Sequence, residues 1–288
     1  MRIFFLIFLL FILLGSCRKS PRFPASCLFA SSSNDYFSIS DNDDSPARAF
    51  NVFCKKVNVF GLEVFATAGV SDRKLLHCAN VLAQYIDNDE NGAVDNPLVL
   101  DKMLENGACM TLFDKERSSD QRRFFNSLND DIYLSQDLYA TEIFPDWSYS
   151  SPFDATLEEV LHLVTHGGYS KVYPEIFGEN QDSQIANAMD VARGGQFSSI
   201  PSTYPENAWY TYYDRSCDYN CQVTEYFYWA LTSLLGAQDY PVRLSEISEE
   251  WKANTPTLVQ SMDPLIYTLL TDSIYNLPIK LPDGSYKR

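Results

Sequence analysis

Histidine, basic residues and long apolar runs are scarce in this chain of 288 residues. It has 3 histidines, and its 22 lysines and arginines face 38 aspartates and glutamates, which gives a formal net charge of −16. Such a charge repels a polyphosphate backbone, so a nucleic-acid partner is not expected. No apolar stretch reaches the roughly 20 residues of a membrane-spanning helix, so no transmembrane segment is expected either.

The signatures of several other protein classes are missing. The chain has no Asn-x-Ser/Thr sequon, so N-linked glycans are not expected. It also has no Gly-x-Ser-x-Gly turn and no phosphate-cradling glycine loop, which argues against a serine hydrolase of that type and against a nucleotide-binding protein. A hydrophobic content of 45% is that of an ordinary packed domain, so disorder is excluded for most of the chain.

The N-terminus is typical of an exported protein. A basic residue, an apolar run over 3–14 and small residues before Cys17 predict a signal peptide over 1–17, and hence a secreted, extracellular protein. The residues before Cys17 also resemble a bacterial lipobox, which leaves a lipid anchor at Cys17 as the alternative. Residues 18–49 are rich in Ser, Asp, Asn and Pro and predict a flexible leader.

Of the 7 cysteines, all but Cys17 lie after the predicted signal peptide. In an oxidising compartment this even set is expected to pair. Cys217 and Cys221 are close enough in sequence to close a small loop, and we predict a disulfide between them. The sequence leaves open how the others connect: Cys27, Cys54, Cys78 and Cys109.

Apolar periodicity over residues 50–288 indicates a single, helix-rich α+β domain with a small N-terminal β portion. Alternation around Gly61 predicts a hairpin or a bulged strand, and 108–113 predicts a further strand. Ser151 and Pro152 begin the clearest helix of the chain. Helical spacing is predicted over six segments: 74–86, 98–104, 152–165, 183–192, 223–235 and 263–271.

The loop over residues 87–98 has the spacing of a cation-binding loop. Oxygen side chains recur at four positions, Asp87, Asp89, Asn91 and Asp95. Ca²⁺ takes about six to eight oxygens, and Gly92 permits the sharp turn around such an ion. The spacing resembles EF-hand loops and, more fully, thrombospondin type 3 repeats, both of which bind calcium. It departs at the twelfth position, where Leu98 stands in place of the bidentate Glu of an EF-hand, which predicts either a low affinity or a contribution from another acid such as Asp101.

The predicted metal-binding helix over 152–166 holds two of the three histidines, His162 and His166. On a helix their spacing of four residues places both rings on one face, where they can bind one zinc ion. Glu158 and Glu159 fall within the same sector of about 100°, opposite the apolar stripe. A compact group of two imidazoles and two carboxylates is therefore expected on this face.

The third histidine, His77, lies in the helix predicted over 74–86. On a helical wheel it falls opposite the apolar stripe that includes Leu75 and Leu82. We therefore expect His77 to be a surface histidine.

The segment that begins at Glu158 resembles the active-site helix of zincin metallopeptidases, whose motif is H-E-x-x-H. Zincins use the Glu after the first His to deprotonate the zinc-bound water, and this chain has Leu163 there. The resemblance then gives that role to Glu159, with Glu158 as the second candidate. Gluzincins, including lethal-factor-type peptidases, add a glutamate from a later helix, as in the aromatic segment around Glu225. The implied zinc ligands are His162, His166 and Glu225.

Three hypotheses follow from these patterns. The resemblance implies a fold like that of the zincins and a secreted zinc metallopeptidase of gluzincin-like type, with Zn²⁺ as cofactor, a structural Ca²⁺ ion and a peptide or protein as substrate. The second hypothesis is a catalytically inactive zincin-fold protein that binds metal but lacks the base. The third is a calcium-binding, secreted structural or binding protein in which the histidine helix is ordinary.

Overall fold

The computed structural model describes residues 36–148 and 152–288. The predicted signal peptide over 1–17, Cys17, Cys27 and the expected helix start at Ser151 lie outside the described residues. Within the described ranges the chain forms one α+β domain with its sheet in the N-terminal half, as the periodicity predicts. In these ranges no helix has the length and apolar character needed to cross a bilayer.

The sheet has five strands, and their order in space is their order in the chain. The first three pair antiparallel, and the third, fourth and fifth pair parallel. The turn between the second and third strands is made by Phe60 and Gly61, both at positive φ, as in a two-residue hairpin turn. The strands are β1 (Ser40–Asp41), β2 (Lys55–Val59), β3 (Leu62–Ala66), β4 (Cys109–Phe113) and β5 (Ser135–Tyr139).

Helices make up most of the rest of the described chain. They are α1 (Asp72–Ile86), α2 (Pro97–Glu105), α3 (Ser119–Phe125), α4 (Thr156–Val164), α5 (Ser170–Val172), α6 (Pro174–Phe177), α7 (Gln184–Ala192), α8 (Tyr219–Leu234), α9 (Arg243–Ile247), α10 (Pro256–Met262) and α11 (Pro264–Leu270). Short 3₁₀ turns cover Arg48–Val52 and Ser273–Tyr275, and a π-helical turn, Thr165–Tyr169, follows α4. The helices predicted over 74–86, 98–104, 183–192 and 263–271 are confirmed to within two residues at each end.

The folded region begins upstream of Phe50, although the composition of 18–49 predicts a flexible leader. Phe37 and Ile39 are buried in the core, and β1 pairs with β2. Over 36–49, Phe37, Ile39 and Ala49 are buried, and their burial fixes the position of this stretch because apolar area leaves water when they pack.

Two apolar clusters lie on opposite faces of the sheet, and the cysteines are divided between them. The larger cluster packs α1, α4 and α8 on one face and includes Cys78 of α1. The smaller cluster, with Phe50 and Phe53, covers the other face and includes Cys109 of β4. Cys78 and Cys109 are therefore free thiols separated by the sheet, which corrects the expectation that the whole even set pairs.

The disulfide predicted between Cys217 and Cys221 is present, with the two Cα atoms 5.3 Å apart. Cys54 is also disulfide-bonded, and none of the other described cysteines is its partner. Burial raises the pKa of the Cys78 and Cys109 thiols. Both thiols therefore stay protonated and unreactive at neutral pH.

Helix α4 begins four residues later than predicted, because a buried carboxylate binds its first turn. Asp154 Oδ1 accepts hydrogen bonds from the backbone N–H of Phe144 (3.0 Å) and from the hydroxyl of Thr156 (2.8 Å). Its Oδ2 is joined to His77 Nε2 at 2.6 Å. His77 is thus buried rather than at the surface, since Gly284 of the C-terminal tail lies directly on its ring.

We expect Asp154→Asn to lower the free energy of unfolding by about 2 kcal/mol, the contribution of a buried hydrogen bond to a charged group. The matched control is Asp146→Asn, which removes an exposed ion pair between Arg73 of α1 and the segment before α4. Exposed pairs contribute little, so the control is expected to keep wild-type stability. Urea unfolding at pH 7 measures both variants.

The same contact predicts a pH dependence. Burial raises the pKa of Asp154, but His77, followed by the donors of Phe144 and Thr156, outweighs it and holds the pKa below its ordinary value. A depressed native pKa contributes stability that is present above the unfolded pKa of about 3.9 and is lost as the pH falls through the native value. The difference between wild type and Asp154→Asn should therefore shrink below about pH 4, and a difference that stays constant to pH 2 would contradict this role.

Candidate functional site

Helices α4 and α8 bring three carboxylates around one buried imidazole. Glu158, Glu159 and His162 project from α4 with ligand atoms that all lie within 4.8 Å of one another. Glu225 of α8 reaches the same ring, with its Oε2 3.7 Å from His162 Nε2. On the other side of the ring, Glu159 Oε2 lies 3.6 Å from His162 Nδ1. These four residues are called the carboxylate–imidazole cluster below.

Neutral donors hold the carboxylates of this cluster. Glu159 accepts a hydrogen bond from Gln136 Nε2, and the hydroxyls of Tyr228 and Tyr212 lie near Glu158 and Glu225 and act to lower the pKa values of these carboxylates. Among the described residues, Glu159 and Glu225 form ion pairs with His162, and none of the three carboxylates pairs with a lysine or arginine. The cluster therefore sets three carboxylates against one imidazole, an excess of negative charge that a divalent cation would offset.

Burial and the excess charge together shift the pKa values of the cluster. Burial, opposed by His162 and reinforced by Glu225 and Glu159, raises the pKa of Glu158 to about 8. Burial lowers the pKa of His162, but the carboxylates, with Glu225 first, outweigh it and raise the pKa to about 9. With no cation bound, the cluster thus carries protons on both Glu158 and His162 at neutral pH.

His162 Nε2 is buried and has no hydrogen-bond partner. Glu225 Oε2, at 3.7 Å, is beyond hydrogen-bond distance, although it faces this nitrogen. Zinc binds nitrogen and oxygen ligands at about 2 Å, so two atoms bound to one ion lie roughly 3–4 Å apart. The separation of these two atoms therefore fits a small cation between them.

His166 does not join the cluster. Its Nδ1 is joined to Glu179 Oε1 at 2.6 Å, and its ring is 40% exposed. The α-helical rule that places residues i and i+4 on one face ends at Val164, because the π-helical turn contains more residues per turn. The sequence predicts that His162 and His166 bind one metal ion together, but in the structure their rings contact different carboxylates.

The two glycines after His166 lie inside the π-helical turn and do not end the helix. A Cβ atom at Gly168 would lie 2.5 Å from the Val99 side chain of α2, and one at Gly167 would lie 2.8 Å from Leu134. The absence of side chains here lets the π-helical turn pack directly on its neighbours. Close packing, rather than helix termination, explains these glycines.

The loop after α1 brings together three of the four residues predicted to bind calcium. Asp87, Asp89 and Asp95 have ligand atoms within 4.8 Å of one another and are called the acidic loop group below. Asn91, the fourth residue, donates from Nδ2 to Asp89 at 2.8 Å. The backbone N–H of Gly92, at a φ of +87°, donates to Asp87 at 2.8 Å. The chain therefore turns around Asp87 as a cation-binding loop requires.

The C-terminal tail covers this loop, and no sequence pattern indicates it. The hydroxyl of Tyr286 donates to Asp87, which is fully buried. Asn88 Oδ1 accepts two backbone N–H groups of the tail, both at 2.8 Å, and Gln84 Oε1 accepts two more. Two amide side chains thus bind the backbone over 279–284 much as a neighbouring strand would.

No protein-family model, no curated protein and no solved structure matches this chain. The resemblance to gluzincin helices that the sequence of α4 and α8 suggests consequently stays a prediction. The chemistry of the carboxylate–imidazole cluster and of the acidic loop group carries the functional conclusion.

We expect Tyr286→Phe to lower the free energy of unfolding by about 1–2 kcal/mol, because buried Asp87 loses a donor while the ring that packs on Phe37 remains. Tyr213→Phe, at an exposed ring, is the control and is expected to have no effect. Urea unfolding in the presence of a chelator measures both. Equal midpoints for wild type and Tyr286→Phe would show that the tail does not stabilise Asp87.

Proposed function

We propose that this protein is an exported, zinc-binding peptidase of divergent gluzincin type that also holds a structural calcium ion. The observation that carries the proposal is the buried, unpartnered His162 Nε2 that faces Glu225 Oε2 at 3.7 Å. A buried ring nitrogen without a partner costs free energy, and coordination of a cation removes that cost. Export is supported by the N-terminal sequence, with a lipid anchor at Cys17 as the alternative form.

The residues proposed to hold zinc are His162, Glu225 and Glu158. His162 and Glu225 belong to the ligand set that the sequence predicts, whereas Glu158 takes the place of His166, which pairs with Glu179. Three protein ligands leave one position open, as in catalytic zinc sites. Zinc bound there would supply a water whose pKa is near 7.

Glu159 is proposed to accept a proton from this water. Its side chain is 24% exposed, against 15% for Glu225 and 10% for His162, so it is open to solvent. Its Oε2, which accepts from Gln136, faces His162 Nδ1, so the carboxylate would have to turn toward the Nε2 side of the ring to reach this water. If it stays at Nδ1, it keeps the ring oriented with Nε2 toward the metal.

One observation favours the second candidate function, an inactive zincin-fold protein that binds metal. Leu163 occupies the position of the zincin base and is 1% exposed in the core. A proton acceptor cannot reach the cluster from that position. In such a protein Glu159 would orient His162 and do nothing more, so zinc would be held without hydrolysis.

We further propose that calcium binds to Asp87, Asp89, Asn91 and Asp95. Two observations support this site: the three carboxylates of the acidic loop group converge, and the chain turns at Gly92. The oxygen donors suit a hard cation, whereas the nitrogen donor of the carboxylate–imidazole cluster suits zinc. The two groups are thus proposed to select different metals by ligand chemistry.

Millimolar calcium is expected to raise the melting temperature of the wild type, and Asp89→Ala is expected to remove that increase. A ligand that binds only the native state stabilises it by mass action. Asp89 is exposed, so its replacement by alanine should leave the fold intact. Asp101→Ala, at an exposed acid of α2 outside the acidic loop group, is the control and should respond to calcium as the wild type does. Equal wild-type melting temperatures in calcium and in chelator would remove this site.

Elemental analysis and a peptide-library cleavage assay test the zinc proposal together. Wild type and His166→Ala are expected to retain zinc, while His162→Ala and Glu225→Gln lose it. Glu159→Gln is expected to retain zinc and to cleave about 100-fold more slowly, since it lacks the proton acceptor. Zinc retained by wild type without any cleavage would support the inactive form, and zinc retained by His162→Ala would overturn the site itself.

The affinity for zinc is expected to rise with pH between about 6 and 9. The pKa values of His162, about 9, and Glu158, about 8, mean that both carry protons at pH 7 before zinc binds, and both must lose them to become ligands. Titration calorimetry at pH 7 in two buffers of different ionisation enthalpy should detect the released protons. An affinity that does not change with pH would contradict this ligand set.

A further inference from the structure

A cavity of about 520 Å³ lies at the C-terminal end of α8, while Glu225 lies near the middle of that helix. Its volume is within the range of small-ligand sites in proteins. Its apolar floor comes from α8, α11 and the tail, through Leu231, Leu234, Leu235, Leu270 and Leu277. The cavity thus offers an apolar surface that the proposed zinc and calcium sites do not use.

The mouth of this cavity is negatively charged. Asp89 and Asp95 of the acidic loop group and Asp272, which follows α11, line it. Among the described residues that line it there is no lysine, arginine or histidine. Lys280, which follows Ile279, acts on Asp95, but the three carboxylates outnumber it, so this mouth attracts a cationic group and repels an anionic one.

Apolar surface continues from the floor to the outside of the cavity. Ile279 lines the mouth and is 83% exposed, which is unusual for an isoleucine beside a cavity. It offers a contact for the part of an alkyl chain that extends beyond the floor. The mouth therefore combines apolar and acidic surface within one opening.

We propose that this cavity binds an amphiphile with one alkyl chain and a positively charged head group. The alkyl chain packs on the leucines of the floor, and the head group lies among Asp89, Asp95 and Asp272. The apolar floor favours a chain over a polar solute, and the three carboxylates select its charge. This site is separate from the proposed peptidase site, and its occupancy does not depend on zinc.

The proposal also links this ligand to calcium. Asp89 and Asp95 belong both to the mouth of the cavity and to the acidic loop group. A cationic head group and a calcium ion would therefore compete for the same carboxylates. Because such coupling is reciprocal, each ligand lowers the affinity for the other.

Titration calorimetry of the full chain in chelator tests the proposal, with decyltrimethylammonium and decyl sulfate as probes below their critical micelle concentrations. The ammonium is expected to bind at least about tenfold more tightly than the sulfate. Leu235→Trp, which fills part of the floor from a half-buried position, should weaken ammonium binding by about tenfold. Asp272→Asn should weaken it about threefold, and the control Asp130→Asn, with the same charge change at a distant exposed acid, should not.

Equal affinities for the two probes, or an ammonium affinity that Leu235→Trp leaves unchanged, would overturn the proposal. Melting curves confirm that each variant is folded. Light scattering measures the oligomeric state of each variant. If Leu235→Trp changes that state, the cavity binds a second copy of the chain and the amphiphile proposal is overturned. If calcium raises the melting temperature but does not weaken ammonium binding, the head group does not lie at Asp89 and Asp95.

Discussion

A buried carboxylate needs hydrogen-bond donors or a cation as partners. In this strongly acidic chain the partners of the buried carboxylates are distant in sequence. Asp154 binds His77 of α1, Asp87 binds Tyr286 of the tail, and Asp263 accepts an indole N–H and a phenol hydroxyl. Each of these contacts fixes one element against another. The buried acids therefore act as tertiary links, because a misplaced element would leave a buried charge without its donor.

The carboxylate–imidazole cluster satisfies this requirement less completely. Three carboxylates share one imidazole, and the nitrogen that faces Glu225 has no partner. A glutamine in place of Glu158 would remove the repulsion by Glu225 and Glu159, so stability alone does not favour a carboxylate there. An arrangement that costs stability and shifts pKa values is typical of functional sites, which is why the cluster supports metal binding.

Local periodicity was enough to predict α1, α2, α7 and α11, because each buries one apolar stripe. It was also enough to predict three of the four cluster residues, since Glu158, Glu159 and His162 share one face of a regular helix. The departure of His166 depends on a π-helical turn whose glycines pack on distant residues, and the burial of His77 depends on the tail. Helical spacing contains no information about such long-range contacts.

Helix α1 connects the two proposed metal sites. It ends at the acidic loop group, and the hydroxyl of Tyr85, near that end, donates to the backbone oxygen of Leu157 in α4 at 2.8 Å. Calcium on the loop would therefore stabilise the helix on which α4 rests. Calcium could change the affinity for zinc only if α4 had two arrangements and calcium bound the protein more tightly in one of them. The buried contact of Tyr85 favours a single arrangement. Calcium would therefore stabilise the zinc site against unfolding and leave its intrinsic affinity for zinc unchanged.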